Sequence, residues 1–537
     1  VTRTYDAIVT TIDGCDSQSS VTITVDAQPI AGTLNGNQTL CAGSAVANLD
    51  LVGSSGPIIR WEYADDLAFT VNVTPIAFTG TSLSSVEMGV FSNTRYFRAV
   101  LANGVCPIVY SNVAAVEYPT TIWNGSTWSN GLPDATKRAI FMGNYTSTGN
   151  VTACSLEVQS GNVTIQSGHA LIITNNVNVT GPVATTSLVF QNDASLIQIN
   201  DVVNTGNIQY YREANPMVRN DYSYWSSPVA NQVLNVFSPL TNPNRYYIFD
   251  NTIYNWLSVP GASTMVPGRG YIIRAPSNYS TTVPTVFNGL FSGVPNNGNI
   301  NSAVVVNGLG NRNLLGNPYP SAIHADLLAD TYPTILQGSF YFWTHNTPIT
   351  NNVYTENDYA VYNQTGGTAA AINSGINNGI PTGYIAAGQG FFVQGLSSGT
   401  ITFANTMRVI GNNADFFRPD GNKIEESTIS KNRIWLNLTN ASGAFKQQLV
   451  GYIQGATNAV DNRFDADAVE AGNSVNFYSI VNNTKLSIQG RSLPFLPTDT
   501  VPLGFRVTQE GNYQISISQF DGLFANGQQI YLEDTLL

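Results

Sequence analysis

Tyr224-Trp225-Ser226-Ser227-Pro228-Val229, Arg245-Tyr246-Tyr247-Ile248-Phe249 and Pro267-Gly268-Arg269-Gly270-Tyr271-Ile272-Ile273 recur in looser form further along the chain. The later copies are Leu315-Gly316-Asn317-Pro318-Tyr319, Ser339-Phe340-Tyr341-Phe342-Trp343 and Ala387-Gly388-Gln389-Gly390-Phe391-Phe392-Val393. In each copy a Pro-containing turn leads to an aromatic strand, and a Gly-x-Gly turn feeds an apolar strand. Turn glycines and aromatic strands repeat; no cluster of acids, bases or nucleophiles repeats with them. The duplication therefore predicts repeated β architecture, and a surface or adhesive role ahead of catalysis.

Outward from the duplication, residues 214–300 and 301–422 read as two copies of one β module. Upstream, Leu156-Glu157-Val158, Val163-Thr164-Ile165, Leu171-Ile172-Ile173, Val177-Asn178-Val179, Leu188-Val189-Phe190 and Leu196-Ile197-Gln198-Ile199 are very short strands between Gly/Asn turns. Strands this short can stack as rungs, so residues 120–213 read as a short β-helix or narrow roll, with an ordinary sandwich as the competing reading. Residues 28–119 order Cys41, Trp61 and Cys106 as an immunoglobulin-like sandwich does. Residues 1–27 read as the closing hairpin of a domain whose earlier strands lie upstream. After a charged linker near Lys423, residues 431–537 alternate apolar and polar positions as a last sandwich should. The predicted fold class is all-β: tandem Ig-like β-sandwich modules with a β-helix-like or roll segment.

The totals agree with that class. Hydrophobic residues make up 43% of the 537, enough for several cores, while charged residues make up 10%, far below the ~25% usual in globular domains. Asn, Thr, Ser and Gly must then supply the polar surface. A net charge of -12 with 22 Lys plus Arg argues against nucleic acid, which needs a concentrated basic surface. The apolar runs are too short to cross a bilayer as helices. Cys41 and Cys106 are the expected disulfide, worth roughly 4 kcal/mol by chain entropy. Cys15 is expected to pair upstream and Cys154 to be a buried free thiol; a disulfide implies an extracellular or outer-surface location.

The order of Ig-like module, Trp123-Asn124-Gly125 ladder, Tyr-Trp-Ser-Ser-Pro segment, Gly316-to-Pro320 segment and terminal sandwich resembles the large multimodular surface proteins that Bacteroidota export by the type IX secretion system. Gly504-Phe505, Gly511-Asn512-Tyr513 and Tyr531-Leu532-Glu533-Asp534 resemble the domain that precedes the sorting domain in such cargo. The resemblance implies passage through the type IX translocon, attachment at the cell surface or release, and adhesive roles. Asp499-Thr500-Val501 and Asp534-Thr535-Leu536 are similar to the O-glycosylation tripeptides of that phylum, which makes Thr500 and Thr535 candidate acceptors. A C-terminal sorting domain is expected to follow Leu537.

Among candidate chemistry, His169, His324 and His345 fall in different modules, so neither a triad nor a metal site is expected from them. Glu356 and Asp358 are close in sequence beside aromatics, but two carboxylates must face each other across a cleft to hydrolyse a glycoside. Asp461, Asp465 and Asp467, with Glu470, form an oxygen-rich loop that calcium would suit, although the turn glycine of an EF-hand is missing; no other cofactor is implied. Gly268-Arg269-Gly270 and Gly388-Gln389-Gly390 open onto strands, so tight turns explain them better than phosphate cradles. Trp225, Trp256, Trp343 and Tyr362 are candidate sugar-stacking residues, to be weighed against burial in sandwich cores. The expected function is a non-catalytic surface protein of stalk and binding modules, with surface glycans or other cell-surface proteins as partners. The alternative is a carbohydrate-binding accessory region of a larger polysaccharide-degrading enzyme.

Overall fold

Alternating strands and positive-φ turn residues fix the architecture, and the computed structural model describes it for residues 2–347, 349, 354–371, 379–415 and 431–534. Strands account for 46% and helix for 5%, so the fold is all-β, with sandwich-like sheets and a β-solenoid segment of about 4 turns. The chain divides into two compact units. The first holds residues up to 122 with 128–140 and 153–155, and the second holds 123–127, 141–152 and everything from 156 onward.

The first unit opens on a hairpin, Thr2–Thr10 against Asp16–Thr24, exposed along its whole length. Beyond it, a six-stranded sheet runs in the order Gln38–Thr39, Ala114–Glu117, Arg95–Leu101, Ile58–Ala64, Thr74–Ile76, with Val109–Tyr110 beside Arg95–Leu101. Its inner face meets a smaller sheet of Thr33–Asn35, Leu49–Val52 and Ser82–Leu83. Leu34, Leu49, Leu51 and Leu83 from the small sheet close over Trp61, Phe97, Ala99 and Val116 from the large one. Trp61 is fully buried, and its indole N–H donates to the Gly80 carbonyl at 3.0 Å, which satisfies that side chain's one polar atom.

The expected Cys41–Cys106 bridge is not formed: Cys41 is bonded to Cys154, 113 residues away, with Cα atoms 5.3 Å apart. Strand direction explains the difference. Gln38–Thr39 runs parallel to Ala114–Glu117 and leaves Cys41 beyond its end, where Val116 faces Arg95 at the start of the antiparallel neighbour. Cys106 follows Leu101 at the other end of that neighbour, roughly 20 Å away at the usual rise per strand residue. Cys154, expected as a free thiol, is the actual partner; Cys15 and Cys106 are free. Cys106 sits with its sulfur 3.7 Å from the Asp26 carbonyl.

In the second unit the short strands stack as rungs. Val163, Leu188 and their neighbours pair in parallel, Ser155–Ile165 against Thr186–Phe190, and the latter against Ile208–Met217. A second face stacks Ala170–Ile173 on Ser195–Gln198, and a third stacks Leu156–Val158 on Val177–Val179. Ile165, Phe190 and Tyr210 fall in line and are fully buried, so each coil covers the apolar side of the one before.

The duplication is visible in strand order. The first copy forms a sheet of Tyr222–Trp225, Tyr271–Arg274, Tyr246–Asp250 and Asn255–Ser258. The second repeats that order with Arg312–Gly316, Gly390–Gly395, Leu336–Trp343 and Tyr359–Asn363, then adds Gly366–Thr368. The copies clasp each other reciprocally. Ser226 N–H donates to the Gly388 carbonyl at 2.8 Å and, at the equivalent positions, Gly316 N–H donates to the Gly268 carbonyl at 3.1 Å. This contact explains both Gly-x-Gly turns. Gly268 and Gly388 adopt positive φ of 82° and 69°, and a Cβ on Gly270 would lie 2.6 Å from the Leu315 carbonyl oxygen. They are turns for close backbone approach.

The C-terminal sheet follows the order Leu503–Val507, Val475–Val481, Thr484–Arg491, Phe445–Ile453, Lys431–Asn440, Tyr513–Phe520. Alternation divides its faces. Leu438 packs with Val475 and Phe477, and Ile434 with Val450, Tyr452 and Phe524. Trp435, Leu449 and Ile488 point the other way and join Tyr224, Tyr341, Trp343, Tyr359 and Val361 of the duplicated modules in a single core cluster.

Candidate functional site

The same alternation builds a cleft between the two duplicated sheets. On the first copy Tyr222, Tyr224, Tyr247, Phe249, Trp256 and Ile272 point to one side, and on the second Arg312, Trp343, Tyr359 and Phe392 point to meet them. Their sequence neighbours point away. Trp225 packs on Phe237, Phe287 and Phe291 in the first copy's own core, and Phe340, Phe342 and Phe391 fill the second copy's core. The cleft encloses ≈ 510 Å³ and is completed by Tyr254, Asn255, Tyr354, Thr355 and Glu356.

Its floor is a set of interlocked rings. Tyr224 stacks on Trp343 at 5.9 Å and an interplanar angle of 15°, and the Tyr224 hydroxyl is 2.6 Å from that of Tyr359. Burial, then the Tyr359 neighbour, pushes the Tyr224 phenol well above its ordinary value, so both tyrosines stay neutral hydrogen-bonding groups. Trp256 packs edge-on against Phe249 and Phe392 at 5.4 and 5.8 Å and is only half-buried, so part of its ring faces the opening. Tyr354, 38% exposed, also lines the cleft and packs on Tyr222 and Trp343. Trp343 is buried, and its indole N–H has no acceptor among the described residues.

One ion pair charges the cleft. Arg312 Nη1 lies 2.7 Å from Glu356 Oε1, and Glu356 Oε2 accepts from Ala471 N–H at 2.7 Å. Burial works against the Arg312 charge, but the pull and hydrogen bond of Glu356 outweigh it and hold the guanidinium above its ordinary value. Asp358 does not face Glu356 as a second reactive carboxyl: its two oxygens accept from Thr347 N–H and the Thr347 hydroxyl at 2.7 and 2.6 Å. Burial raises it to about 7.

Of the four aromatics singled out in the sequence, Trp256 and Trp343 meet in the cleft. Trp225 and Tyr362 do not; each is 1% exposed inside a module core, and the Tyr362 hydroxyl donates to Asp326 Oδ2. Tyr224, Tyr354, Phe249 and Arg312 were missed, although Phe249 and Trp343 hold equivalent places in the two copies, a signal available from the repeat.

The carboxylates of the Asp461 loop are engaged by protein donors. Among the described residues no three His, Cys, Asp or Glu side chains converge to hold a metal. Asp465 accepts from the backbone N–H groups of Asp461 and Gly490 at 2.6 and 2.8 Å, and Asp461 accepts from Thr457. Asp467 is turned to Gln394. Asp461 and Asp465 thus hold the loop itself, and Asp467 ties it to the second copy. The histidines stay apart: His169 contacts Ser147 at a rung turn, His324 caps a short helix, and His345 is buried, lowered to about 4 by desolvation. Thr500 is exposed beside Asp499, whose carboxylate takes Arg491 and the Tyr452 hydroxyl; Thr535 lies outside the described residues.

Residues 118–537 match a family model described as a domain of unknown function, DUF8693. The chain belongs to the DUF8693 family. The cleft and both duplicated modules lie wholly within the DUF8693 region. Residues 30–120 match a second domain of unknown function, DUF8696. No curated protein matches the chain.

Proposed function

We propose that this DUF8693 protein is a non-catalytic surface protein of the cell exterior, exported through the type IX system of Bacteroidota, whose β modules act as stalk and adhesive surface. One observation carries the reading: the ionisable and amide side chains of the duplicated region serve as struts. Asn317, fully buried, lies 2.8 to 3.0 Å from the carbonyls of Ser321, Ile385 and Ala386. Arg408 reaches Ser321, Asn297, Asn405 and the solenoid carbonyl of Leu196. Asn413 ties Ala387 to Ala194 and Tyr210.

The Cys41–Cys154 bond suits an oxidising compartment, and no helix among the described residues is long and apolar enough to cross a membrane. The test is adhesion of protein-coated beads to cells and to immobilised glycans and proteins, with polymer hydrolysis measured in parallel. Retention on one surface class without cleavage is expected; turnover of any polymer, abolished by Glu356→Gln, overturns the reading. The aromatic cleft favours a second reading, a carbohydrate-binding accessory region of a larger enzyme, which the same glycan panel would reveal.

A further inference from the structure

We infer that the cleft between the duplicated sheets is a binding site for neutral pyranose chains, with the half-buried Trp256 ring as the stacking platform. This rests on the non-catalytic binding reading and would hold for either form of it. Ten of the fifteen lining residues are Tyr, Trp or Phe, and a volume of ≈ 510 Å³ falls in the ~300–1,000 Å³ range of small-ligand sites. Aromatic faces carry negative quadrupole charge, and the ring C–H groups of a sugar present a weakly positive apolar face to match. Trp256 on the first copy's edge strand and the 38% exposed Tyr354, on the connection that follows Trp343, are the more open rings of the lining, with Tyr224 and Trp343 buried beneath.

The polar groups fit hydroxyls. Arg312 and Glu356 are held together at 2.7 Å, offering adjacent N–H donors and carboxylate acceptors, the pattern that vicinal hydroxyls satisfy. Thr355 and Asn255 add polar groups at the rim, and the buried Trp343 N–H lacks an acceptor among the described residues. A purely apolar ligand would strip water from the Arg312–Glu356 ion pair without replacing its hydrogen bonds, at a cost.

Charge selects among sugars. Arg312 is the one cation lining the cleft among the described residues and is neutralised by Glu356, and the whole chain carries -12. Inside the cleft a uronic or sialic acid would meet only an arginine already paired with a carboxylate, and the cation just outside, Arg245, is exposed to solvent and donates to the Tyr247 hydroxyl at 2.9 Å. Nucleotides fail for the same reason.

The test is titration calorimetry of the full chain with soluble β-glucan, xylan, starch and chitin oligosaccharides. Polygalacturonate, sialyllactose and choline are the competing ligands. Binding of one neutral oligosaccharide is expected, weakened about tenfold by Trp256→Ala, the size that one lost ring stack of ~1.4 kcal/mol implies. Trp256→Phe should recover most of it. Trp256 packs on Tyr224, Phe249 and Phe392, so melting curves are taken for both variants, and Trp256→Phe, which keeps a ring at the site, separates a lost stack from loosened packing. As a second readout, saturating sugar should protect Tyr354 and Trp256 from oxidative footprinting. Binding that is confined to the acidic glycans or to choline, or that is unchanged in Trp256→Ala, overturns the proposal. If beads adhere to cells while no sugar binds, the site assignment fails and the adhesive reading stands. If the sugar is cleaved, the adhesive reading fails first.

Discussion

Replacing Cys41 and Cys154 together by serine removes a link that closes 113 residues of chain. In the chain-entropy model a loop of that length restricts the unfolded chain by roughly 5 kcal/mol. A domain's whole stability is about 5–15 kcal/mol, so the loss should be large for the first unit. It should also be local, because both cysteines belong to that unit. The assay is hydrogen exchange on peptides from Ile58–Ala64 and Arg95–Leu101, read beside peptides from the Gly390–Gly395 strand of the second unit. Exchange should accelerate in the first pair and stay unchanged in the last. Cys106→Ser should do nothing comparable, since Cys106 is a free thiol whose sulfur lies 3.7 Å from the Asp26 carbonyl. Peptide mapping that links Cys41 to Cys106, or a double-serine protein destabilised by less than about 1 kcal/mol, would refute both the pairing and the loop-entropy reasoning.

Trp225→Ala should cost about 3–5 kcal/mol in thermal or urea melts by emptying the core against Phe237, Phe287 and Phe291, more than Trp256→Ala, whose ring is only half-buried. Gly316→Ala would place a Cβ 2.2 Å from that of Ser226, so the clasp between the copies should open and urea midpoints fall by the equivalent of about 1–3 kcal/mol. Asn317→Ala should cost at least about 1–3 kcal/mol, because it removes the amide donor from the buried Ser321 and Ile385 carbonyls; a melt unchanged in midpoint would contradict the strut role.

Asp221, Asp358 and Asp465 are raised by burial to about 6, about 7 and about 7 from an ordinary 3.8. The folded chain thus binds their protons more tightly than the unfolded chain, and stability should fall as pH rises from about 4 to about 7. Asp358→Asn should flatten that slope in melts taken across the range.

The sequence carried the class and the repeat because both depend on local patterning. Val163, Leu188 and their neighbours alternate within three or four residues, and turns such as that at Gly161, with φ of 84°, mark the corners of the coil. The Gly-x-Gly turns were recognised as turns, but their partner across the pseudo-symmetric clasp was invisible, since it lies in the other copy. The cleft was half legible. Trp225 and Tyr224 are adjacent, and a shift of one residue along a strand moves a ring from the core to the cleft. Composition cannot set that parity, whereas the match of Phe249 with Trp343 across the repeat could have. The Cys41 partner was misjudged because spacing favoured the nearer thiol while strand direction put it at the wrong end. The Asp461 loop looked like a cation site because the backbone N–H groups of Asp461 and Gly490, which take up Asp465, leave no trace in side-chain identity.

Tyr224, Trp343 and Trp435 come from the first copy, the second copy and the C-terminal sheet, yet share one apolar interior. Beads on a string can be shortened, reordered or borrowed; these three segments cannot. A gene fusion or nonsense mutation that ends the chain before Lys431 would leave Tyr341, Val361 and Tyr359 wet, and the product should aggregate rather than persist as a smaller working piece. The two copies and the terminal sheet therefore stand or fall as one block.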